Sequence, residues 1–154
     1  MTYVLCYLFR SVYGNISYMK DYMTGKLKKK LDVVFSKYIR AKYPKYCYTC
    51  NKPNDKLQCG HFVSRQYLAT RWEEDNCRPQ CWGCNGYGRG QLLDFEENLI
   101  NELGKKRVEE LKRSRHQTLK LDREWYEKQI AFYEEKYYDL MNHLAEEIMK
   151  NNPK

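Results

Sequence analysis

Two C-x-x-C pairs constrain what this chain can fold into more than any other feature. Cys47-Tyr48-Thr49-Cys50 and Cys81-Trp82-Gly83-Cys84 each set two thiolates one turn apart, so both can reach one ion. Four thiolates suit tetrahedral zinc, which closes a small domain that has too little core of its own. Thirty residues, Asn51 to Gln80, separate the pairs. That interval is longer than in an ordinary zinc ribbon and long enough to hold a β-hairpin.

Paired C-x-x-C means metal rather than disulfide in a reducing compartment. Residues 1–13 are apolar but lack a basic leading region and a small-residue cleavage site, so they do not read as a secretory signal. No stretch approaches the ~20 apolar residues that span a bilayer. The expectation is a cytoplasmic chain with no membrane association. Cys6, Cys59 and Cys77 lie outside the pairs and read as small buried residues.

The 154 residues carry a net charge of +8, and it is unevenly placed. Residues 1–90 hold 16 Lys/Arg against 6 Asp/Glu, while residues 91–154 hold 12 against 14. A basic front and a near-neutral tail point to nucleic acid as the partner of the first part.

The order along the chain divides it into four stretches. Residues 1–25 are Tyr-rich, with Gly14 and Gly25 as breakers, and form an arm of undecided structure. Residues 26–46 read as a basic entry helix: Leu27, Leu31, Val34, Phe35, Tyr38 and Ile39 recur at helical spacing, and Pro44 ends it. Lys28, Lys29, Lys30 and Arg40 surround that stripe. Residues 47–104 hold the cysteines, a short strand candidate from Leu57 to Val63, and a helix that Gly104 caps. Residues 105–154 are helical, with one long helix from about Leu121 to Lys150. On it Tyr126, Ile130, Tyr133, Tyr137, Leu140 and Leu144 alternate in steps of four and three, a heptad seam. Such a seam packs back on its own domain or pairs with a second copy; a homodimer is the expectation, because a helix of roughly 45 Å outruns the globular part.

Three polar residues stand at telling places between and after the cysteine pairs. His61 follows the short strand, Asn76 lies where a hairpin's return strand begins, and Asn85 directly follows the last cysteine. This order resembles the ββα-metal (HNH-like) nucleases in their variant with asparagine at the third position. The resemblance implies that His61 is the general base, that Asn85 binds a divalent ion, and that Asn76 holds the histidine loop. Neutral imidazole near pH 7 is available to histidine by default.

A more specific likeness runs over roughly residues 27–115. Leu57-Gln58-Cys59-Gly60-His61-Phe62-Val63-Ser64-Arg65, Ala69-Thr70-Arg71, Asn76 with Gln80-Cys81, Cys84-Asn85 and the Gly88 to Gln91 turn resemble the phage lambda NinG (Rap) family. Leu31-Asp32, Phe35-Ser36 and Tyr38-Ile39-Arg40 resemble its entry helix. The resemblance implies a phage-encoded recombination endonuclease that binds branched double-stranded DNA, such as Holliday junctions and D-loops, and nicks it in the bacterial host cell. The expected fold is α+β: a small zinc-stabilised ββα-metal core flanked by helices, with a long C-terminal helix. Many ββα-metal nucleases carry an aspartate directly before the histidine as a second metal ligand. Here that residue is Gly60, as in the NinG pattern. Glu73, Glu74, Asp75 and Asp94 are the alternative carboxylates, and Asp75 or Asp94 is the expected further ligand of the catalytic ion beside Asn85.

Two readings follow. In the first the chain is a structure-selective DNA endonuclease with structural Zn²⁺ on Cys47, Cys50, Cys81 and Cys84 and catalytic Mg²⁺ or Mn²⁺. Arg65, Arg71, Arg89, Arg40 and the Lys28–Lys30 run then hold phosphates. In the second it is a non-catalytic zinc module that binds nucleic acid or scaffolds a recombination assembly, and His61 and Asn85 are incidental.

Overall fold

A computed structural model describes the backbone over residues 3–86 and 92–151, and the side chains within those ranges from Met23 onward. Helix α1 (Tyr3–Lys42) runs without interruption through Gly14 and Gly25. The expected breaks at these glycines do not occur, and the first 25 residues are not set apart from the entry helix. A glycine costs a helix about 1 kcal/mol, which the rest of a 40-residue helix absorbs. Pro44 stops it, two residues beyond Lys42.

Strands β1 (Gln58–His61) and β2 (Cys77–Gln80) pair antiparallel, with Gln58 opposite Gln80 and His61 opposite Cys77. A 3₁₀ turn (Glu74–Asn76) leads into β2. Helices α2 (Trp82–Gly86), α3 (Leu92–Leu103), α4 (Lys105–Ser114) and α5 (Arg123–Asn151) follow. The architecture is mixed α+β, a two-stranded sheet among helices with a long C-terminal helix. Gly104 sits between α3 and α4 at φ 83°, a left-handed conformation that suits glycine, and its N–H donates to the Ile100 carbonyl.

Alternation along the hairpin turns one of its faces to an apolar core. Cys59 and Cys77 join Leu31, Phe35, Tyr38 and Ile39 of α1 and Tyr126, Ile130 and Tyr133 of α5. Beyond the hairpin, Phe62 and Val63 pack with Phe95, Leu99, Val108 and Leu111 of α3 and α4. The heptad seam is thus occupied within the chain. Tyr126, Ile130 and Tyr133 are buried against α1, and Tyr137 and Leu140 cover the edge of the same cluster. From Tyr126 to Leu140 the seam therefore faces α1 of the same chain, and Leu144 lies beyond that cluster.

Polar ties fix these pieces to one another. Tyr133 Oη donates to the Trp72 carbonyl at 3.0 Å. The Glu74 carboxylate accepts from Tyr38 Oη at 3.0 Å and from Lys42 at 2.8 Å, and also takes Lys136 of α5. Arg78 of β2, 1% exposed, donates to both oxygens of Glu102 on α3 at 3.1 and 2.7 Å and to the Glu74 and Cys77 carbonyls. A buried guanidinium is tolerated only with such full pairing. Among the described residues no helix is long and apolar enough to cross a membrane.

Candidate active site

The two C-x-x-C pairs come together at the base of the hairpin. The sulfurs of Cys47, Cys50, Cys81 and Cys84 all lie within 4.8 Å of one another. Local backbone explains the first pair: Asn51 takes φ 52°, and its N–H donates to the Cys47 carbonyl at 2.8 Å, folding the segment into a knuckle. In the second pair, α2 begins directly after Cys81 and brings Cys84 back beside it. Burial pushes the Cys47 thiol up, but backbone N–H groups of Cys50, Cys81 and Thr49 outweigh it and bring it down to about 7. Four sulfurs so spaced, with amides aimed at one of them, fit a tetrahedral metal ion, whose S–metal length near 2.3 Å needs sulfurs about 3.8 Å apart.

Asn85 follows Cys84 in the same short helix, and its N–H donates to the Cys81 carbonyl at 3.0 Å. The knuckle therefore sets where Asn85 stands. Its side-chain Nδ2 donates to Gln58 Oε1 at 2.7 Å, which leaves Oδ1 as the outward acceptor of the amide.

His61 ends β1. Its Nε2 lies 3.0 Å from the Arg71 carbonyl, and a carbonyl only accepts, so Nε2 carries the proton and Nδ1 holds the lone pair. Burial lowers the His61 pKa, against the opposing pull of the Arg71 carbonyl. The ring is neutral near pH 7.

Asn76 is fully buried and makes three hydrogen bonds across the loop that follows His61. Its Oδ1 accepts from the Val63 N–H at 2.7 Å, and its Nδ2 donates to the Val63 and Thr70 carbonyls, each at 2.9 Å. The loop carrying the Arg71 carbonyl is thereby fixed relative to the strand carrying His61.

His61 and Asn85 line one cleft of about 690 Å³, together with Arg40 and Arg65. Asp32, Ser36, Gln58 and Ser64 complete its polar wall. Arg40 donates to Ser36 beside it. Asp32, Ser36 and Arg40 lie four apart on α1 and so share one helix face, a spacing visible in the sequence.

Several expected residues lie elsewhere. Arg71 does not offer its charge to a ligand: Nε and Nη2 donate to the Asp32 carboxylate at 2.8 and 2.7 Å, so it is an internal strut. Asp75 and Glu73 are taken by Arg107, and Glu74 by Lys42 and Lys136; none of the three reaches the cleft. Asp94 is exposed in the first turn of α3, away from the cleft lining. Lys30 pairs with Glu134 at 3.1 Å, and Lys28 and Lys29 lie along α1 outside the cleft. Arg89 and the Gly88 to Gln91 turn lie outside the described residues.

Gly60 has a steric explanation. A Cβ there would lie 1.9 Å from Gln80 Oε1 and 2.8 Å from Gln80 Cγ. Gln80 is buried and held by its own bond to Thr49 Oγ1 at 2.6 Å. The position is packed shut from the opposite strand, so no ligand can be carried there without moving Gln80. The hairpin also gathers Cys59, His61 and Cys77, which sequence spacing did not connect because 15 residues of loop separate His61 from Cys77.

The fold and site thus define a class: a mixed α+β chain with a four-cysteine knuckle able to hold a metal ion and a polar His/Asn cleft on its hairpin. Residues 19–143 match the family of the bacteriophage Lambda NinG protein, and the chain belongs to that family. It is 30% identical over 101 residues to the ninG proteins of Escherichia phage 933W and Enterobacteria phage VT2-Sa, an overlap of 58% of this chain and 50% of each relative. The chain therefore spans about half the length of the curated relatives it matches. No solved structure matches it.

Proposed function

We infer that the cleft hydrolyses phosphodiester bonds, making the chain a metal-dependent endonuclease for branched DNA such as Holliday junctions and D-loops. The observation that carries this is the meeting of His61 and Asn85 in one cleft beside two arginines, in a chain of the NinG family. His61 takes the proton of the attacking water on Nδ1; its protonated Nε2, held by the Arg71 carbonyl, keeps that lone pair available. Asn85 Oδ1 would hold a hard divalent ion, Mg²⁺ or Mn²⁺, for which oxygen donors suit better than thiolates. When bound, that ion stabilises the charge growing on the phosphate and on the leaving oxygen.

Arg40 and Arg65 hold the phosphates flanking the scissile bond. Contacts to the backbone carry no base identity, so selectivity comes from branch geometry. Zinc in the four-thiolate site has a structural part: it fixes the helix from which Asn85 projects. A homodimer would place two such clefts on two strands of a junction. The far end of α5, with Met141, Ile148 and Met149 exposed, is apolar surface suited to that contact. Action on recombining phage DNA in the host cytoplasm follows from the same reading.

The test is strand cleavage of a synthetic four-way junction against a matched linear duplex, with Mg²⁺, Mn²⁺ or EDTA, for wild type and His61→Ala. Metal-dependent nicks at the branch that vanish in the variant are expected. Tight junction binding with no cleavage under either ion would instead establish a binding module.

A further inference from the structure

The geometry points to a second metal site, built from Cys59, His61 and Cys77, that takes a thiophilic divalent ion of the zinc class and silences the cleft by occupying the imidazole. The inhibitory half rests on the nuclease reading above; the metal site itself does not.

The β-register produces the cluster. Cys59 and His61 are two apart on β1 and so point to one face, and Cys77 stands directly opposite His61 on β2. Their ligand atoms lie within 4.8 Å of one another. A bound zinc ion at about 2.3 Å from sulfur and about 2.0 Å from nitrogen needs separations near 3.5–3.8 Å, so small side-chain rotations close the site. The Arg71 carbonyl lies beside both Cys77 Sγ, at 4.0 Å, and His61 Nε2, at 3.0 Å, so the thiol and the imidazole are neighbours.

The site has an entrance. Cys77 is fully buried at the back, whereas Cys59 and His61 line the cleft and are partly exposed to it. Three protein ligands leave one tetrahedral position open, and here it faces the cleft, where water completes the shell. Two sulfurs and an imidazole select zinc-class ions over Mg²⁺ or Mn²⁺, so the ion that inhibits differs from the ion that supports cleavage. The four-thiolate knuckle is separate: its cysteines are four other residues at the base of the hairpin.

The consequence follows from one lone pair. An imidazole nitrogen that coordinates an ion cannot also receive a proton from water, so occupancy removes the base. Free zinc then acts as an off switch without touching the DNA contacts.

The experiment uses the full chain in a non-thiol reductant, with one equivalent of zinc already in the knuckle, titrated with Co²⁺. Wild type should bind one further ion with the sulfur-to-cobalt charge-transfer absorption of two thiolates in tetrahedral geometry. Cys59→Ser and, independently, Cys77→Ala should each lose that second ion while retaining the first; using both protects the result should one variant fold poorly. No second ion in wild type, or one that persists in both variants, overturns the site. In the Mg²⁺ cleavage assay, each protein, with its knuckle zinc in place, is scored against its own rate without added zinc. The zinc needed to halve that rate should rise at least about tenfold in Cys59→Ser. Equal zinc sensitivity in both proteins overturns the inhibitory role. A second ion bound by a protein that cleaves nothing leaves the site standing and overturns the nuclease reading instead.

Discussion

Arg71 reaches across 39 positions to grip Asp32 with two arms of its guanidinium, at 2.8 and 2.7 Å, while its own carbonyl accepts the His61 proton. One residue thus fastens the loop to α1 and sets the tautomer of the histidine. Arg65, six positions earlier, is exposed in the cleft. The two arginines should therefore separate in experiment. Arg65→Ala should weaken DNA binding and lower the slope of log affinity against log salt by about 1. Arg71→Ala should leave that slope unchanged and cost about 1–3 kcal/mol of stability, since Asp32 keeps a third of its surface in water. Salt-dependent binding isotherms and urea denaturation give both numbers.

Asn76 answers to a different measurement. Removing its amide leaves the Val63 N–H and the Val63 carbonyl without partners in a fully buried position, and leaves the Thr70 carbonyl with the Glu73 N–H alone. Asn76→Ala should cost about 2–4 kcal/mol. Asn76→Asp should be worse, because it sets a carboxylate oxygen against the Val63 and Thr70 carbonyls. Urea midpoints that barely move would refute the account of this side chain as the clasp of the histidine loop.

Gly60 is a position where installing the aspartate that many ββα-metal nucleases carry before their histidine should fail. Gly60→Asp drives a Cβ into Gln80 and should lose about 1–3 kcal/mol. Adding Gln80→Ala should recover part of that loss. Thermal melts of the single and double variants measure the recovery, and a strictly additive pair would count against the clash.

Glu74 should contribute to the acid sensitivity of the fold. Burial raises its carboxyl, but hydrogen bonds from Lys136, Lys42 and Tyr38 outweigh that and hold it below the ordinary 4.5. The unfolded chain therefore binds more protons here than the folded one, so this stabilisation is complete above the unfolded value. It drains away as pH falls through the folded one. Glu74→Gln should lower stability at pH 7 and flatten its decline between about pH 5 and pH 3. Denaturation midpoints across that range, compared with wild type, provide the check.

Metal removal should divide the molecule. A strong chelator, or Cys81→Ser, should release the hairpin and α2, whose arrangement depends on the knuckle. Helices α1 and α5 supply most of the apolar cluster that Cys59, Trp72 and Cys77 join, and should stay helical. Hydrogen exchange should report lost protection over residues 47–86 with protection retained in both long helices. Uniform loss across the chain would mean that the two parts fold as one unit.

Local chemistry made much of this protein legible before any fold was known. C-x-x-C spacing identifies its ligands without tertiary information, because the two sulfurs are neighbours along the chain. Periodicity likewise placed the helical stripe of Leu31, Phe35, Tyr38 and Ile39, and Gly104 marked a helix junction because its left-handed conformation suits glycine. What only the tertiary structure decided was which charges and faces find each other. Arg71 and Arg65 look alike in sequence, yet one is neutralised by Asp32 and the other opens to the cleft. The seam on α5 reads the same whether it meets α1 or another molecule. Cys59, His61 and Cys77 become one cluster only when strand register closes a 15-residue gap. Patterns along the chain record the period of a helix or strand; the partner across it is chosen by packing, whose contacts lie tens of residues away.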